Sequence, residues 1–330
     1  MTQVLALADD LTGALEVGAK FAAEGIASVI TTDASLECTA PVLVIDTETR
    51  HLPPALAAAQ VTRALQQAHK PGVRLIYKKT DSTLRGNIAA ELEALAAFYG
   101  TRVVYAPAYP AMGRTVTAGR LYVNGVLLEQ TSFARDQLNP ITDSRVPAGI
   151  FCDVEEDVAE AARRILQAEP PSLAAGTGAL AGELAQRMEI QRGGKSPLPR
   201  IRSCLILNGS LHDASARQLE HLAGDEDWTV MQWTPQTGQS PMEIADGNGR
   251  GIRDALKSAS FDAVLVCGGD TVYGMLKAVG FPPIRPMGEV VTGVAISRVA
   301  IDGRDIYLIT KAGGFGEIDI LTQIRKKLHG

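Results

Sequence analysis

The chain has 330 residues, 46% of them hydrophobic and 21% charged, with a formal net charge of −5. This acidic balance gives no basic footprint for nucleic acid, and no run of about 18 apolar residues could span a membrane. The length suits two domains of ordinary size. The cysteines at 38, 152, 204 and 267 make no C-x-x-C pair, and the histidines make no H-E-x-x-H, so neither a zinc site nor a disulfide framework is indicated. Cys204 and Cys267 lie in apolar runs and read as small core residues. Met1 leads into an apparent strand without the pattern of a secretory leader, and a reducing, cytoplasmic setting is expected.

In chain order, Val4–Ala8 is a short apolar run, as a buried parallel strand would be. It ends in Asp9-Asp10-Leu11-Thr12-Gly13-Ala14, and a helix follows with Ala14, Val17 and Phe21 on one face. Short strands are predicted at Ser28–Thr31 and Pro41–Asp46, the second followed by Thr47-Glu48-Thr49-Arg50. Pro53-Pro54 opens an alanine-rich helix that stops at Lys70-Pro71-Gly72. Val73–Tyr77 reads as a strand, and from Ile88 the apolar residues Ile88, Leu92, Leu95 and Phe98 mark a helix face, with Glu91 and Glu93 off it. Between them lie Lys78, Lys79, Thr80, Asp81, Ser82, Thr83, Leu84, Arg85, Gly86 and Asn87. Such a strand-to-helix turn is where open α/β sheets place ligands. The free N–H groups and dipole of the helix favour an anion, and Lys79 and Arg85 add full charges. Arg102–Ala106 is the next strand, so strands and helices alternate as in a parallel sheet.

After Ala106 the texture changes to Pro107-Ala108-Tyr109-Pro110-Ala111-Met112-Gly113-Arg114, a hairpin turning at Asn124-Gly125, and an irregular stretch from Phe133 to Pro147. A loop-rich segment of this kind is usually a lid or a binding surface, and Arg114 is a candidate anion ligand. Glu155–Ala168 is a helix. Gly176-Thr177-Gly178-Ala179-Leu180-Ala181-Gly182 approaches the dinucleotide fingerprint, but its third glycine is one residue late and no strong strand precedes it. Gln191–Pro199 reads as a surface linker.

Ser203–Leu207 is a buried strand followed by Asn208-Gly209-Ser210, then a helix from Asp213 to Ala223. Trp228–Trp233 is a further strand candidate, and Pro235–Gly251 is loop-like. Phe261–Cys267 is a strongly apolar strand ending in Gly268-Gly269-Asp270-Thr271. Here glycines let the backbone approach a phosphate at a helix N-terminus, and Thr271 is a good N-cap. Strands flanking Asp302-Gly303 form a hairpin. Lys311-Ala312-Gly313-Gly314-Phe315-Gly316 then suggests a nest of N–H groups with Lys311 beside it, before a last helix at Ile318–Leu328. No P-loop motif occurs.

The first half thus gathers acids, hydroxyls and cations at strand ends, and the second gathers glycine turns. The first set suits a small polyol or hydroxy acid and the second a phosphate-bearing nucleotide, a division that a small-molecule kinase needs. The expected architecture is two α/β domains with mainly parallel sheets and an active-site cleft between them. Residues 1–150 are expected to form the substrate domain and 151–330 the nucleotide domain.

These motifs, in this order and over nearly the whole length, resemble the four-carbon acid sugar kinase family. The motifs that carry the resemblance are Asp9–Ala14, Lys79–Asn87, Pro107–Arg114, Asn208–Ser210, Gly268–Thr271 and Lys311–Gly316. The resemblance implies ATP-dependent phosphorylation of the terminal hydroxyl of D-threonate, D-erythronate or 3-oxo-tetronate. Leu84-Arg85-Gly86 is closer to the threonate and erythronate branch. By the same resemblance Asp9, Arg50, Lys79, Thr80, Asp81 and Ser82 form the acid-sugar site, and Ser210, Gly268, Gly269, Asp270, Thr271 and Gly314 the ATP site. Arg85 and Gly313 are added from the residues themselves. In the expected mechanism Arg50, Lys79 or Arg85 pairs with the substrate carboxylate. Asp9, Asp10 or Asp81 orients the hydroxyl and takes its proton. Mg²⁺ bridges the ATP phosphates and is held by waters and Asp270. A non-catalytic sugar-acid binding protein and an NAD-dependent dehydrogenase using Gly176–Gly182 stay open as alternatives, as does a homo-oligomer.

Overall fold

The computed structural model describes every residue except 137–139, 211–212, 223–227, 233–240, 259 and 330. The chain divides into two compact units, Met1–Gly193 and Gly194–Gly330. The first unit contains the strands β1 (Val4–Ala8), β2 (Ser28–Thr31), β3 (Val42–Asp46), β4 (Leu75–Lys79), β5 (Val103–Ala106), β6 (Arg114–Thr117), β7 (Arg120–Val123), β8 (Val126–Leu127), β9 (Cys152–Val154) and β10 (Ser172–Gly176). Its helices are α1 (Leu11–Ala23), α2 (Pro54–Ala68), α3 (Ile88–Tyr99), α4 (Val158–Gln167) and α5 (Gly178–Arg187).

The main sheet of this unit runs β2-β3-β1-β4-β10-β5-β9 and is parallel throughout. All residues of β1, β3 and β4 are buried, as the apolar runs require for strands covered on both faces. A small antiparallel sheet, β6-β7-β8, stands apart from it in hydrogen bonding, with its β7–β8 turn at Asn124-Gly125 as predicted. Both turn residues have positive φ (50° and 80°), which Asn and Gly tolerate.

The expected boundary after residue 150 moves to Gly193/Gly194. β9 and β10, which follow residue 150, pair with β5 and β4 in the first sheet. The strand before Gly176, too weak to read from the sequence, is β10. Its Leu-Ala-Ala-Gly core is small because the neighbouring backbone is close: a Cβ on Gly176 would stand 2.4 Å from the Ala106 carbonyl oxygen. A Cβ on Gly178 would meet the Glu16 side chain at 2.3 Å. Packing therefore accounts for two glycines of the near-fingerprint.

The second unit contains β11 (Cys204–Asn208), β12 (Trp228–Gln232), β13 (Ala263–Cys267), β14 (Ile284–Val291), β15 (Val294–Ile301) and β16 (Arg304–Lys311). Its helices are α6 (Asp213–Leu222), α7 (Pro241–Ser258), α8 (Gly269–Ala278) and α9 (Ile320–His329). Its strands lie in the order β12-β11-β13-β16-β15-β14, parallel as far as β16 and antiparallel beyond. Cys204 and Cys267 are buried among Ile206, Leu265, Ile296 and Ile309, as expected.

The predicted loop at 235–251 is partly α7, while 233–240 lie outside the described residues, as do Trp233 and Ala223 at the ends of their predicted elements. The glycines that read as loop allow two helices to meet: a Cβ on Gly249 would stand 2.1 Å from the Gly274 carbonyl oxygen of α8. β14 was invisible in the sequence because Pro286 and Gly288 interrupt it. The structure absorbs them as irregularities in the pairing with β15.

Candidate active site

The chain enters β2 after β1, returns through β3 beside β1, and then crosses to β4 on the other side of β1. The direction of winding reverses between β1 and β4, which makes a crevice at their carboxyl ends. Asp9 and Asp10 leave β1 there, and Thr80 and Asp81 leave β4. In the second unit the same reversal occurs between β11 and β13, where Gly209-Ser210 and Gly268-Gly269 emerge.

In the first crevice Arg50 is the hub. Its Nε and Nη2 donate to Asp9 Oδ2 (2.8 Å) and Oδ1 (3.1 Å), and its Nη1 to Asp10 Oδ2 (2.5 Å). Asp81 Oδ1 lies 3.6 Å from Nη2. The Arg50 loop is seated by the backbone: the N–H groups of Thr49 and Arg50 both donate to the Asp9 carbonyl. Asn87 occupies the N-cap position of α3 but makes no capping bond. Its amide instead donates to the Thr49 and Leu52 carbonyls, each at 2.8 Å, which ties the Arg50 loop to the β4–α3 turn. Gly86 (φ 86°) permits this closeness, since a Cβ there would lie 3.2 Å from Arg50 Cγ.

Asp81 accepts from Thr83 N (2.9 Å) and Thr83 Oγ1, and is held by Arg85 through Nε (3.0 Å) and Nη2 (2.8 Å). Arg85 Nη1 reaches Asp136 at 3.3 Å. Lys79 pairs with Glu16 at 3.2 Å, and Lys78, wholly buried, pairs with Glu91 at 3.1 Å. Thr49 Oγ1 also donates to Glu91. Glu91 was expected off the apolar face of α3 and Phe98 on it. In fact Glu91 is 1% exposed, drawn in by Lys78 and Thr49, while Phe98 is 36% exposed. Ser82 is half-buried, and its hydroxyl has no hydrogen bond among the described residues.

Asp10 caps α1 by accepting from Gly13 N at 2.8 Å. The helix is drawn close enough that a Cβ on Gly13 would stand 3.0 Å from Lys79 Cγ. At the end of β3, Glu48 Oε1 accepts from Leu11 N (3.1 Å), and Glu48 N donates to Asp46 Oδ1 (3.2 Å). Glu48 and Leu84 both hold positive φ (46° and 58°) in the turns that line the crevice. Such strain concentrates at functional sites.

The charges sort the carboxyls. Burial pushes Asp9 up, but Arg50, Lys78 and Lys79 outweigh it and hold the group below the usual range. Burial also drives Asp81 up, and Arg85 and Arg50 reverse this to hold it well below. Its oxygens are also filled with donors, so it is poorly suited to accept a proton. For Asp10, burial and the charge of Asp9 prevail over Arg50, and the carboxyl rises. Burial and the charge of Glu48 raise Asp46 well above its ordinary range, and burial pushes Glu48 up to about 7. Burial would neutralise Lys79, but Glu16, Asp10, Asp9 and Asp81 keep it charged. Sequence reasoning found Asp9, Asp10, Arg50, Lys79, Asp81 and Arg85, and the structure brings them together. It missed Glu16 and Glu91 because each sits in an ordinary-looking helix, and left Asp46 and Glu48 without a role.

In the second crevice the glycine turns also meet. A Cβ on Gly313 would fall 2.2 Å from Ser210 Oγ, and one on Gly268 would lie 3.6 Å from Ser210 N. Gly268, not Thr271, stands at the N-cap of α8 with φ 109°. Thr271 is buried inside the first turn, where α8 leaves its leading N–H groups unbonded within the helix. Asp270 is the acidic residue of that turn and is exposed. Lys311 departs from expectation. Burial lowers its affinity for a proton, and its Nζ donates to the carbonyls of Ala312, Gly313 and Phe315 at 2.9, 2.9 and 3.1 Å. Gln218 Nε2 gathers the carbonyls of Phe315, Gly316 and Glu317 in the same way. Lys311 therefore shapes the glycine loop from beneath. Among the described residues no group of three or more His, Cys, Asp or Glu side chains could hold a metal, and no helix is long and apolar enough to cross a membrane.

Comparison with known proteins agrees with this division. Residues 4–196 match the model of a sugar-binding N-terminal domain, and residues 234–321 that of a nucleotide-binding C-terminal domain. The D-threonate kinase of Bordetella bronchiseptica is 29% identical over 98% of this chain and 96% of its own. That of Cupriavidus necator is 30% identical over 94% of each. A D-erythronate kinase from Heliobacterium modesticaldum is 34% identical, over 44% of this chain and 35% of its own. Among solved structures, a Haemophilus influenzae protein superposes with a TM-score of 0.74 at 20% identity, covering 98% of this chain and 99% of the other. A Bordetella bronchiseptica protein, a domain-swapped dimer with bound citrate, gives 0.52 at 26% identity, covering 99% and 98%. With one domain model covering the charged crevice, another the turns at Gly268 and Gly313, and kinases aligned along nearly the whole length, the chain belongs to the four-carbon acid sugar kinase family of small-molecule kinases.

Proposed function

We propose that the protein transfers the γ-phosphoryl group of ATP to the terminal 4-hydroxyl of D-threonate or D-erythronate. The observation that carries this reading is the contrast between the two crevices. One is lined with carboxylates held by fixed cations, suited to grip hydroxyls. The other is lined with Gly268 and Gly313 packed close to Ser210 beside a helix N-terminus, suited to phosphates. Phosphoryl transfer passes through a loose transition state, so positioning and charge do most of the catalysis.

Asp10 is the base in this reading. Asp81 is held too far down and is too fully bonded to accept a proton, whereas Asp10 is raised and its side chain is 21% exposed. Arg50 orients Asp9 and Asp10, and Arg85 fixes Asp81. Both cations, and Lys79, are already neutralised by the chain's own carboxylates. We therefore assign them to holding the hydroxyl-binding carboxylates and to balancing developing negative charge. Thr80 and Ser82 lie in the same turn, where Ser82 offers a hydroxyl to the substrate. In the second crevice Gly269, Thr271 and Gly314 contribute backbone to the phosphates. Asp270, exposed at the first turn of α8, fits one carboxylate ligand of a largely hydrated Mg²⁺, which would supply charge neutralisation on the phosphates. The dehydrogenase alternative loses its motif to packing at Gly176 and Gly178.

The test is ADP formation with Mg²⁺ and ATP against D-threonate, D-erythronate and L-threonate. Turnover of one of the D-acids is expected. ATP binding with no turnover on any of them would reject the assigned substrate, and no ATP binding would reject the kinase reading and favour a sugar-acid binding protein.

A further inference from the structure

The substrate proposed above carries a carboxylate, yet each cation lining the β1–β4 crevice already faces a carboxylate of the chain. Lys78 has Glu91, Lys79 has Glu16, Arg50 has Asp9 and Asp10, and Arg85 has Asp81 and Asp136. Arg114 is different. It has no ion pair with any carboxylate among the described residues. Its Nη1 donates to the Met112 carbonyl, and its Nε is buried without an acceptor. A buried donor left open in this way calls for a partner. Its surroundings are those of the crevice: burial lowers its proton affinity, and the charges of Asp81, Arg85 and Glu16 all act on it.

The fold holds it there. The segment from Pro107 leaves the carboxyl end of β5, in the same sheet as β4 and β1, and Thr177 at the end of β10 donates to the Ala108 carbonyl at 2.8 Å. Tyr109 and Arg114 exchange backbone hydrogen bonds at 2.8 and 3.0 Å. Gly113 between them has φ 70° and no room for a Cβ beside Asn124. The guanidinium lies over the Phe133 ring, 5.9 Å from its centroid. Phe133 belongs to the short turn Ser132–Arg135, and the next residue, Asp136, holds Arg85. One turn thus seats both guanidinium groups.

We propose that Arg114 receives the carboxylate of the sugar acid, which would bridge its Nε and Nη2 and satisfy the open donor. This rests on the sugar-acid reading. A planar guanidinium takes a carboxylate through two parallel N–H bonds, a geometry lysine cannot copy. Arg114 would then set which end of the substrate lies away from Asp10, and would select acids over neutral polyols.

The test compares wild type, Arg114→Gln, Arg114→Lys and Phe133→Leu in the full chain, with Mg²⁺ and ATP. Each is assayed on D-threonate, D-erythronate and the corresponding neutral tetritols. Arg114→Gln should raise the KM for the acid by about 10- to 100-fold, the loss expected for hydrogen bonds to a charged group. The KM for ATP and the melting temperature should stay near wild type, and the preference for acid over tetritol should collapse. Arg114→Lys should recover part of the loss, and Phe133→Leu should raise the acid KM several-fold. If Arg114→Gln is unstable, the Lys and Leu variants carry the test. Wild-type acid KM and acid preference in the substituted proteins would overturn the role of Arg114 while leaving the kinase intact. A wild-type enzyme that uses acids and tetritols equally would overturn the sugar-acid reading, and the role of Arg114 with it.

Discussion

The two crevices occupy equivalent places in their sheets but are built from opposite materials. Between β1 and β4 the chain packs ionised side chains against one another, and its geometry is fixed by ion pairs such as Arg50–Asp9 at 2.8 Å. Between β11 and β13 it removes side chains altogether, and the geometry is fixed by contacts such as Gly313 against Ser210. The first should therefore fail when a charge is deleted, and the second when a methyl group is added.

The largest effect is expected in the first crevice. Asp81→Asn leaves Arg85 with only the longer pair to Asp136 and removes one of the three carboxylates around Arg50, and removing one partner of a buried pair costs about 3–5 kcal/mol. A urea midpoint shift of that size, with activity lost, would be seen by denaturation. An unchanged midpoint would mean the network is not structural. Asp10→Asn should keep the fold and the KM for ATP but lower kcat by about 100-fold or more, the usual contribution of a general base. Steady-state kinetics at saturating ATP checks this, and an unchanged kcat would move the base elsewhere.

In the second crevice Gly313→Val places a Cβ 2.2 Å from Ser210 Oγ. Overpacking of this kind costs about 1–3 kcal/mol, so a rise in the KM for ATP on the order of 10-fold is expected, with the KM for the acid unchanged. A change in the acid constant alone would break the division between the crevices.

The smallest effect is a pH dependence. The Glu48 carboxyl, raised from 4.5 to about 7 by burial, binds a proton in the folded chain that the unfolded chain releases earlier. Stability should therefore fall as pH rises from 4.5 to 7. Glu48→Gln should remove part of this slope, so its melting temperature gains on wild type across that window. A constant difference between the two proteins would contradict the shift.

The sequence made the charged crevice legible because its residues cluster at the ends of strongly apolar strands. It concealed the partners that come from helices: Glu16 and Glu91 look like solvated positions until Lys79 and Lys78 are seen to be buried. It concealed β10 and α7 for a related reason. Glycines that permit close backbone approach, Gly176 beside Ala106 and Gly249 beside Gly274, read locally as turn formers. Lys311 was correctly placed beside the glycine loop, but only its three carbonyl partners show that it supports the loop rather than facing a ligand.

The most direct test of the kinase reading is the product itself, followed by phosphorus NMR and mass spectrometry with ATP, Mg²⁺ and D-threonate or D-erythronate. The account predicts one new phosphomonoester on the terminal carbon of the acid, formed in step with ADP. ADP accompanied only by free phosphate, or a product phosphorylated at another position, would contradict it.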